Sequence, residues 1–176
     1  LRHVQNAGQH LLRLFNDLLE LSRFEAGQLQ LSSAVFNLQG ALDALLQLQT
    51  SRAAERGLGL RLVLAPEVPA HLVGDVRRLS QLLLVYLDNA LKFTEHGEVV
   101  LQAQVLQQAE GRVRLRFEVR DTGPGMGVEE QQALFRLFQQ GDPSLSRPHG
   151  GLGIGLAMAA QIANLMDGEV GVDSAP

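Results

Sequence analysis

Residues 75–94 read DVRRLSQLLLVYLDNALKFT, with apolar side chains at Leu79, Leu82, Leu83, Tyr86, Ala90 and Leu91. Steps of three and four put these on one side of a helix, so the spacing predicts a helix from Asp75 to Thr94 that buries this side against something flat. A second set, Val85, Asn89 and Lys92, lies four and three apart and stacks on another face, away from the leucine stripe. That face can meet a ligand. Asn89 offers a neutral oxygen of the hard kind that Mg²⁺ accepts when phosphates complete its coordination, and Lys92 can reach a phosphate as a point charge. The same spacing also describes a solvated helix face with a lysine near its end, which is the commoner meaning of such pairs, and the stretch alone does not choose.

The neighbouring segments set what the flat partner is. Ahead of the helix, Ser33 to Leu38 reads as a short strand, Gln39 to Arg56 as a helix ending at Gly57, and Leu58 to Leu64 as an alternating strand, with Pro66 and Pro69 marking a loop. Behind it, Glu98 to Leu106 and Arg112 to Arg120 alternate as a β-hairpin around Glu110-Gly111, with Val113, Leu115, Phe117 and Val119 on one face. Ile154 to Met166 reads as a last helix, ended by Gly168. Without an internal repeat, this order predicts an α+β chain: a two-layer α/β sandwich in which helices cover one face of one mixed sheet.

A long amphipathic helix precedes the sandwich. Val4, Ala7, Leu11, Leu14, Leu18 and Leu21 follow the three-then-four spacing of a coiled-coil seam, and Gly8, Leu12, Phe15 and Leu19 add an adjoining stripe. Two stripes exceed what one partner helix covers, so this helix belongs in a multi-helix bundle, and Gly27 ends it. The division expected is residues 1–31 for this helix and 32–176 for the sandwich.

Composition narrows the classes. The 176 residues suit one domain with an appendage. A formal net charge of −4 with scattered Lys and Arg gives no basic stripe, so nucleic acid is not an expected partner. No cysteine is present, which excludes disulfides and thiolate metal sites and fits a reducing compartment. No apolar run approaches the roughly 20 residues of a membrane span, and Leu1-Arg2-His3-Val4 does not begin like a signal peptide. The expectation is a soluble segment without membrane contact.

Three further stretches carry chemistry. Asp121 follows a strand and precedes Thr122-Gly123-Pro124-Gly125-Met126, where the glycines let backbone approach a ligand. A buried carboxylate there accepts but cannot donate, which suits the exocyclic amino group of adenine and disfavours guanine. A plain β-turn headed by aspartate fits the same residues equally well. Gly150, Gly151, Gly153 and Gly155 crowd six residues before a helix beginning near Ile154, a loop whose N–H groups and helix dipole suit an anion. Its spacing is neither the Walker loop nor the dinucleotide fingerprint, and glycine-rich hinges look alike. The polar stretch from Gln139 to His149, with Pro143 and Pro148, reads as a mobile lid from which Arg147 could reach phosphate.

In their order, these stretches resemble the ATP-binding catalytic domain of bacterial sensor histidine kinases, in the superfamily shared with gyrase, Hsp90 and MutL. Gly74-Asp75, Arg78-Leu79, Gln81, Asn89-Ala90 and Lys92-Phe93-Thr94 resemble its asparagine box, and Asp121 to Met126 its first glycine box. Phe135 to Phe138 resembles its phenylalanine box, and Gly151 to Leu156 its second glycine box. Residues 1–31, ending Leu21-Ser22-Arg23-Phe24-Glu25-Ala26-Gly27, are similar to the second helix of the dimerisation and phosphotransfer hairpin, in the hybrid-kinase variant.

The resemblance implies a Bergerat-type ATP-binding fold and ATP with Mg²⁺ as cofactors. It implies Asn89 as magnesium ligand, Lys92 and Arg147 as phosphate contacts that stabilise transfer, Asp121 as adenine reader, and Phe93 as a side chain packing on the base. Gly123, Gly125, Met126, Phe138, Gly151, Gly153, Gly155 and Leu156 would complete the nucleotide contacts. The γ-phosphoryl group would pass to a histidine on a helix outside this chain and then to the receiver domain of a response regulator, within a homodimer. The setting implied is the cytoplasmic part of a larger, membrane-bound sensor.

Three departures accompany the resemblance. Val85 stands where the family has a second asparagine, which removes one polar contact from the phosphate side. Leu152 stands where Thr or Ser is frequent. The chain is expected to start after the acceptor helix and to stop before the family's last strands. Of the five histidines, His3, His10, His71, His96 and His149, none is followed by the acidic residue that marks the acceptor. The chain is therefore expected to bind ATP without phosphorylating itself. The rivals are a degenerate, weakly binding regulatory or phosphatase module, which Val85 favours, and a stand-alone ATPase or serine kinase, which the amino-terminal helix disfavours.

Overall fold

The computed structural model describes residues 30–132, 134 and 154–175. The chain divides into two compact units, Ser32–Gln131 with Val172–Pro176, and Leu1–Leu31 with Gln132–Gly171. The amino-terminal helix, the phenylalanine segment and the lid anticipated from sequence lie outside the described residues.

The first of these units holds five strands and two long helices: β1 (Ala34–Asn37), α1 (Leu38–Glu55), β2 (Gly59–Leu64), β3 (His71–Gly74), α2 (Val76–Phe93), β4 (Glu98–Ala109) and β5 (Arg112–Asp121). β2, β4 and β5 form a mixed sheet in that order, with β2 parallel and β5 antiparallel to the central β4. The single sheet expected from sequence is joined by a separate antiparallel ribbon of β1 and β3. β3 escaped the sequence pattern because it is only four residues long and alternates too briefly to register against the preceding Pro69.

Cross-strand register sorts the sheet into two faces. Leu60, Leu62 and Leu64 pair with Val99, Leu101 and Ala103, and the last two pair in turn with Val119 and Phe117. α1 packs against β2, α2 packs against β4 and β5, and the two helices touch each other, so both cover one face. The other face is polar. There Glu118 accepts from Gln102 at 2.8 Å and from Arg120 at 2.6 Å, and Arg61 meets Glu98 at 2.9 Å. The hydrogen bond from Arg120 comes first among the interactions that hold the Glu118 carboxyl below its usual range, ahead of the opposing effect of its burial. Val100 is buried on this face between its register partners Arg61 and Arg120, as expected where long charged side chains cover apolar surface with their stems.

The ends of the elements follow from local chemistry. Asn37 caps α1, its Oδ1 accepting from the Gly40 N–H at 2.7 Å. The Leu58 N–H reaches back to the Ala53 carbonyl at 3.0 Å, closing that helix around Gly57. The β4–β5 hairpin turns through Glu110 and Gly111, both at positive φ, which matches the twist of the strands. In the leucine stripe of α2, Leu79, Leu83, Ala90 and Leu91 are buried as the spacing predicts, and Leu87 joins them at full burial. Tyr86 is only partly buried, and loss of water around its phenol pushes its pKa up to about 12.

Of the second unit, the described helix is α3 (Ile154–Leu165), in which Ala157 to Ala160, Ile162 and Ala163 are buried. The left-handed residue after it is Asp167, with φ of 55°, and Gly168 follows where the sequence placed the helix end. The Gly168 N–H closes the helix by bonding the Ala163 carbonyl at 2.8 Å.

Asp75 ties the start of α2 to the chain ahead of β1. It is 2 % exposed, and its carboxylate accepts from the Arg78 N–H at 3.0 Å and the Ser32 N–H at 2.9 Å. Burial alone would raise its pKa, but the backbone bonds from Arg78 and Ser32 outweigh burial and hold it below the usual carboxylate range. A depressed folded-state pKa contributes stability above the unfolded value of about 3.9, and that stability is lost as pH falls through the folded value. Asp75→Ala should cost about 1–2 kcal/mol at pH 7. The check is thermal unfolding as a function of pH, where the gap between wild type and variant should shrink below about pH 4; a gap independent of pH would show that the charge on Asp75 contributes nothing.

Candidate nucleotide site

Two stretches far apart in sequence meet at one end of the first unit. α2 stops where Thr94 turns to extended backbone, its N–H still bonded to the Ala90 carbonyl at 3.0 Å. A loop then leads into β4, and β4 pairs Val99 with Asp121, the last residue of β5. That register carries the Asp121 turn back beside the end of α2. Thr122 locks the junction: its hydroxyl donates to the His96 carbonyl at 2.9 Å and accepts from the Glu98 N–H at 3.1 Å.

Contact at the junction is close. A Cβ placed on Gly123 would lie 3.5 Å from the Phe93 carbonyl oxygen, 3.5 Å from the Thr94 hydroxyl and 2.7 Å from Asp121 Oδ1. The last distance is too short for real atoms, so a side chain at this position would displace the Asp121 carboxylate, whose Oδ1 now accepts from the Gly123 N–H at 2.8 Å. Gly125 sits at a φ of 71°, and the Met126 N–H is held by the Ser174 hydroxyl at 2.9 Å. Gln131 donates to the carbonyls of Met126 and Ser174, at 2.9 and 2.6 Å, so the tail around Ser174 braces the whole turn.

Asp121 differs from expectation in one respect. Its carboxylate is exposed, not buried, because it stands at the end of β5, where the chain turns out of the sheet, and the aspartate-headed turn is also real. Register places the residue in line with Val99 and Val119, on the face that the helices cover.

The last turn of α2 holds a cation beside an open ring. Lys92 Nζ lies 4.9 Å from the centroid of the Phe93 ring, and Phe93 is 51 % exposed. Val85 and Asn89 are half-buried on the same helix. Asp88 is turned the other way, accepting from Gln49 at 3.0 Å and Arg52 at 2.6 Å on α1. Arg56, one turn further on, donates to the carbonyls of Leu91 and, at 2.9 Å, Lys92. A cation at the carboxyl end of a helix satisfies orphan carbonyls and complements the dipole. Gln49, Arg52 and Arg56 thus clamp the last turns of α2 from behind. Asn89, the residue after Asp88, is half-buried. Among the described residues, no group of three His, Cys, Asp or Glu side chains could hold a metal ion by itself.

A family model described as histidine kinase-, DNA gyrase B-, and HSP90-like ATPase matches residues 74–176. The chain belongs to this family. Among relatives of this ATPase domain, the sensor histidine kinase GacS of Pseudomonas protegens is 39% identical over 173 residues, which cover 98% of this chain and 19% of that protein. The signal transduction histidine-protein kinase BarA of Escherichia coli K12 is 35% identical over 176 residues, covering 100% of this chain and 19% of BarA. The chain therefore spans about a fifth of the length of these relatives. The crystal structure of full-length ShkA in complex with AMPPNP superposes with a TM-score of 0.79 at 36% identity, covering 94% of this chain and 33% of ShkA.

Of the residues singled out from sequence in this ATPase domain, Asn89, Lys92, Phe93, Asp121, Gly123, Gly125 and Met126 all fall in the first unit, and the fold brings Phe93 to the Asp121–Gly123 turn. Gly155 and Leu156 open α3 in the second unit. Phe138, Arg147, Gly151 and Gly153 lie outside the described residues. Sequence reasoning missed the clamp. Its signal was present, since Gln49, Arg52 and Arg56 follow steps of three and four, but a polar stripe does not announce what it touches. Ser174 had no local signal at all.

Proposed function

We propose that this chain is the nucleotide-binding and phosphoryl-donating part of a sensor histidine kinase, using Mg²⁺ with ATP. The observation that carries the reading is the junction itself. It brings the end of α2, where Lys92 lies over the exposed Phe93 ring, to the turn headed by the exposed Asp121.

In this reading the base packs on Phe93, and Asp121 accepts from the exocyclic amino group while the backbone of Gly123, Gly125 and Met126 lines the edge. Lys92 neutralises phosphate charge, and Asn89 would hold the cation through its amide oxygen, together with phosphate and water oxygens. Bound Mg²⁺ would supply charge neutralisation across the phosphates. The residues act by positioning and electrostatics, the main demands of phosphoryl transfer. Arg147, Phe138 and the run Gly151, Gly153, Gly155 and Leu156 are assigned to the nucleotide by resemblance to the family. Residues 1–31 are assigned in the same way to the second helix of a dimerising phosphotransfer hairpin. The acceptor histidine on a separate helix, the homodimer partner, the receiver domain and a cytoplasmic setting belong to this proposal. Among the described residues, no helix is long and apolar enough to cross a membrane.

A second reading, a weakly binding regulatory module, is favoured by Val85, which puts an apolar side chain one helical turn before Asn89. Titration of the 176-residue chain with ATP, in Mg²⁺ and in chelator, separates the two. Saturable binding that tightens with Mg²⁺ is expected; binding that is absent, or indifferent to Mg²⁺, would favour the regulatory module.

A further inference from the structure

The Thr94 hydroxyl is anomalous. Thr94 is 1 % exposed, and its Oγ1 is buried without a hydrogen-bond partner, although the backbone N–H of the same residue is satisfied by Ala90. Buried hydroxyls without partners are uncommon, since each forfeits the bonds it had with water. A nearby acceptor is at hand. The Thr94 hydroxyl and Asp121 Oδ1 flank the same bare Cα of Gly123, 3.5 and 2.7 Å from the point a Cβ would occupy. Asp121 has one bond in the turn, from the Gly123 N–H, and its carboxylate is otherwise open to solvent.

We infer that Thr94 is a positioning residue for base recognition, whose hydroxyl donates to the Asp121 carboxylate once a nucleotide base docks there. The inference rests on the adenine-reading role proposed for Asp121. A docked base strips water from the carboxylate, which then needs replacement donors because an ionised carboxylate can only accept. The Thr94 hydroxyl is a buried donor beside the turn, whereas Asp121 is exposed. Its bond fixes the carboxylate and leaves a lone pair for the exocyclic amino group. The approach requires the Asp121 carboxylate to swing toward Thr94, and the Cα of Gly123 between them carries no Cβ to block it. The free protein holds the hydroxyl without a partner, and the bound state gives it one.

This account predicts effects of opposite sign from one substitution. Thr94→Val keeps the shape and removes the hydroxyl. The thermal midpoint of the nucleotide-free chain should stay unchanged or rise, because the group removed had no partner. Affinity for ADP should fall about fivefold, as for loss of one hydrogen bond, with or without Mg²⁺, and Thr94→Ser should retain wild-type affinity. The double variant Thr94→Val/Asp121→Asn should bind no more weakly than Asp121→Asn alone. Wild-type ADP affinity in Thr94→Val, alongside a loss in Asp121→Asn, would overturn the role of Thr94 and leave the adenine reading intact. Wild-type affinity in Asp121→Asn would remove the adenine reading itself. A lowered midpoint in nucleotide-free Thr94→Val would show that the hydroxyl is already bonded in the free protein, which also overturns the inference.

Discussion

Asp121→Asn should weaken ATP and ADP by the same factor, at a cost on the order of 1–3 kcal/mol. The substitution keeps the size of the side chain but places an amide donor where the base presents its own donor. The remaining amide oxygen still has to hold the Gly123 N–H, a bond that measures 2.8 Å in the native turn. Because the loss belongs to the base and not to the phosphates, the ratio of ATP to ADP affinity should be unchanged, as should the gain in ATP affinity on adding Mg²⁺. Calorimetric titration of both nucleotides checks this, and unchanged ADP affinity in the variant would show that the base is read elsewhere.

Asn89→Ala should abolish most of the Mg²⁺ dependence of ATP binding while sparing metal-free ADP. The expected drop is at least the roughly tenfold that follows loss of even an outer partner of a metal ligand. The clamp from Gln49, Arg52 and Arg56 holds the neighbouring turn of α2, so the variant should fold and the loss should read out in binding alone. Val85→Asn is the complementary change. It restores a polar group one turn before Asn89 and should tighten Mg²⁺-dependent ATP binding about fivefold, the worth of one added hydrogen bond. In a longer chain that carries the acceptor helix, it should also speed autophosphorylation. A Val85→Asn protein that behaves as wild type while Asn89→Ala does not would place Val85 away from the phosphates.

The long elements were legible because burial imposes a period. Leu79, Leu83, Ala90 and Leu91 announce α2, and the alternation from Val113 to Val119 announces β5, since one covered face demands one kind of side chain. The glycine turn after Asp121 was legible for a related reason, since Gly125 takes a left-handed backbone that most other residues avoid. β3 was not, being too short for a period to show. The exposure of Asp121 was not either, because sequence places a residue on a face of a strand but does not say how far the covering layer reaches. Thr94 stood inside a motif already noted, yet nothing in its neighbours distinguishes a hydroxyl that is satisfied from one that is not. The clamp needed a partner from another helix, and contacts between elements leave no periodic trace.

The parallel pairing of β2 with β4 has a kinetic consequence. β2 and β4 are separated in the chain by β3 and α2, so their pairing closes a long loop before any cross-strand bond rewards it, and contacts of this kind form slowly. The hairpin of β4 and β5 can zip locally, but the Asp121 turn gains the end of α2 as its neighbour only when that helix has docked across the strands. A partly folded chain therefore contains no half-strength version of the junction. Nucleotide selects the completed fold over every intermediate, so saturating ADP should slow unfolding and raise the apparent stability by mass action.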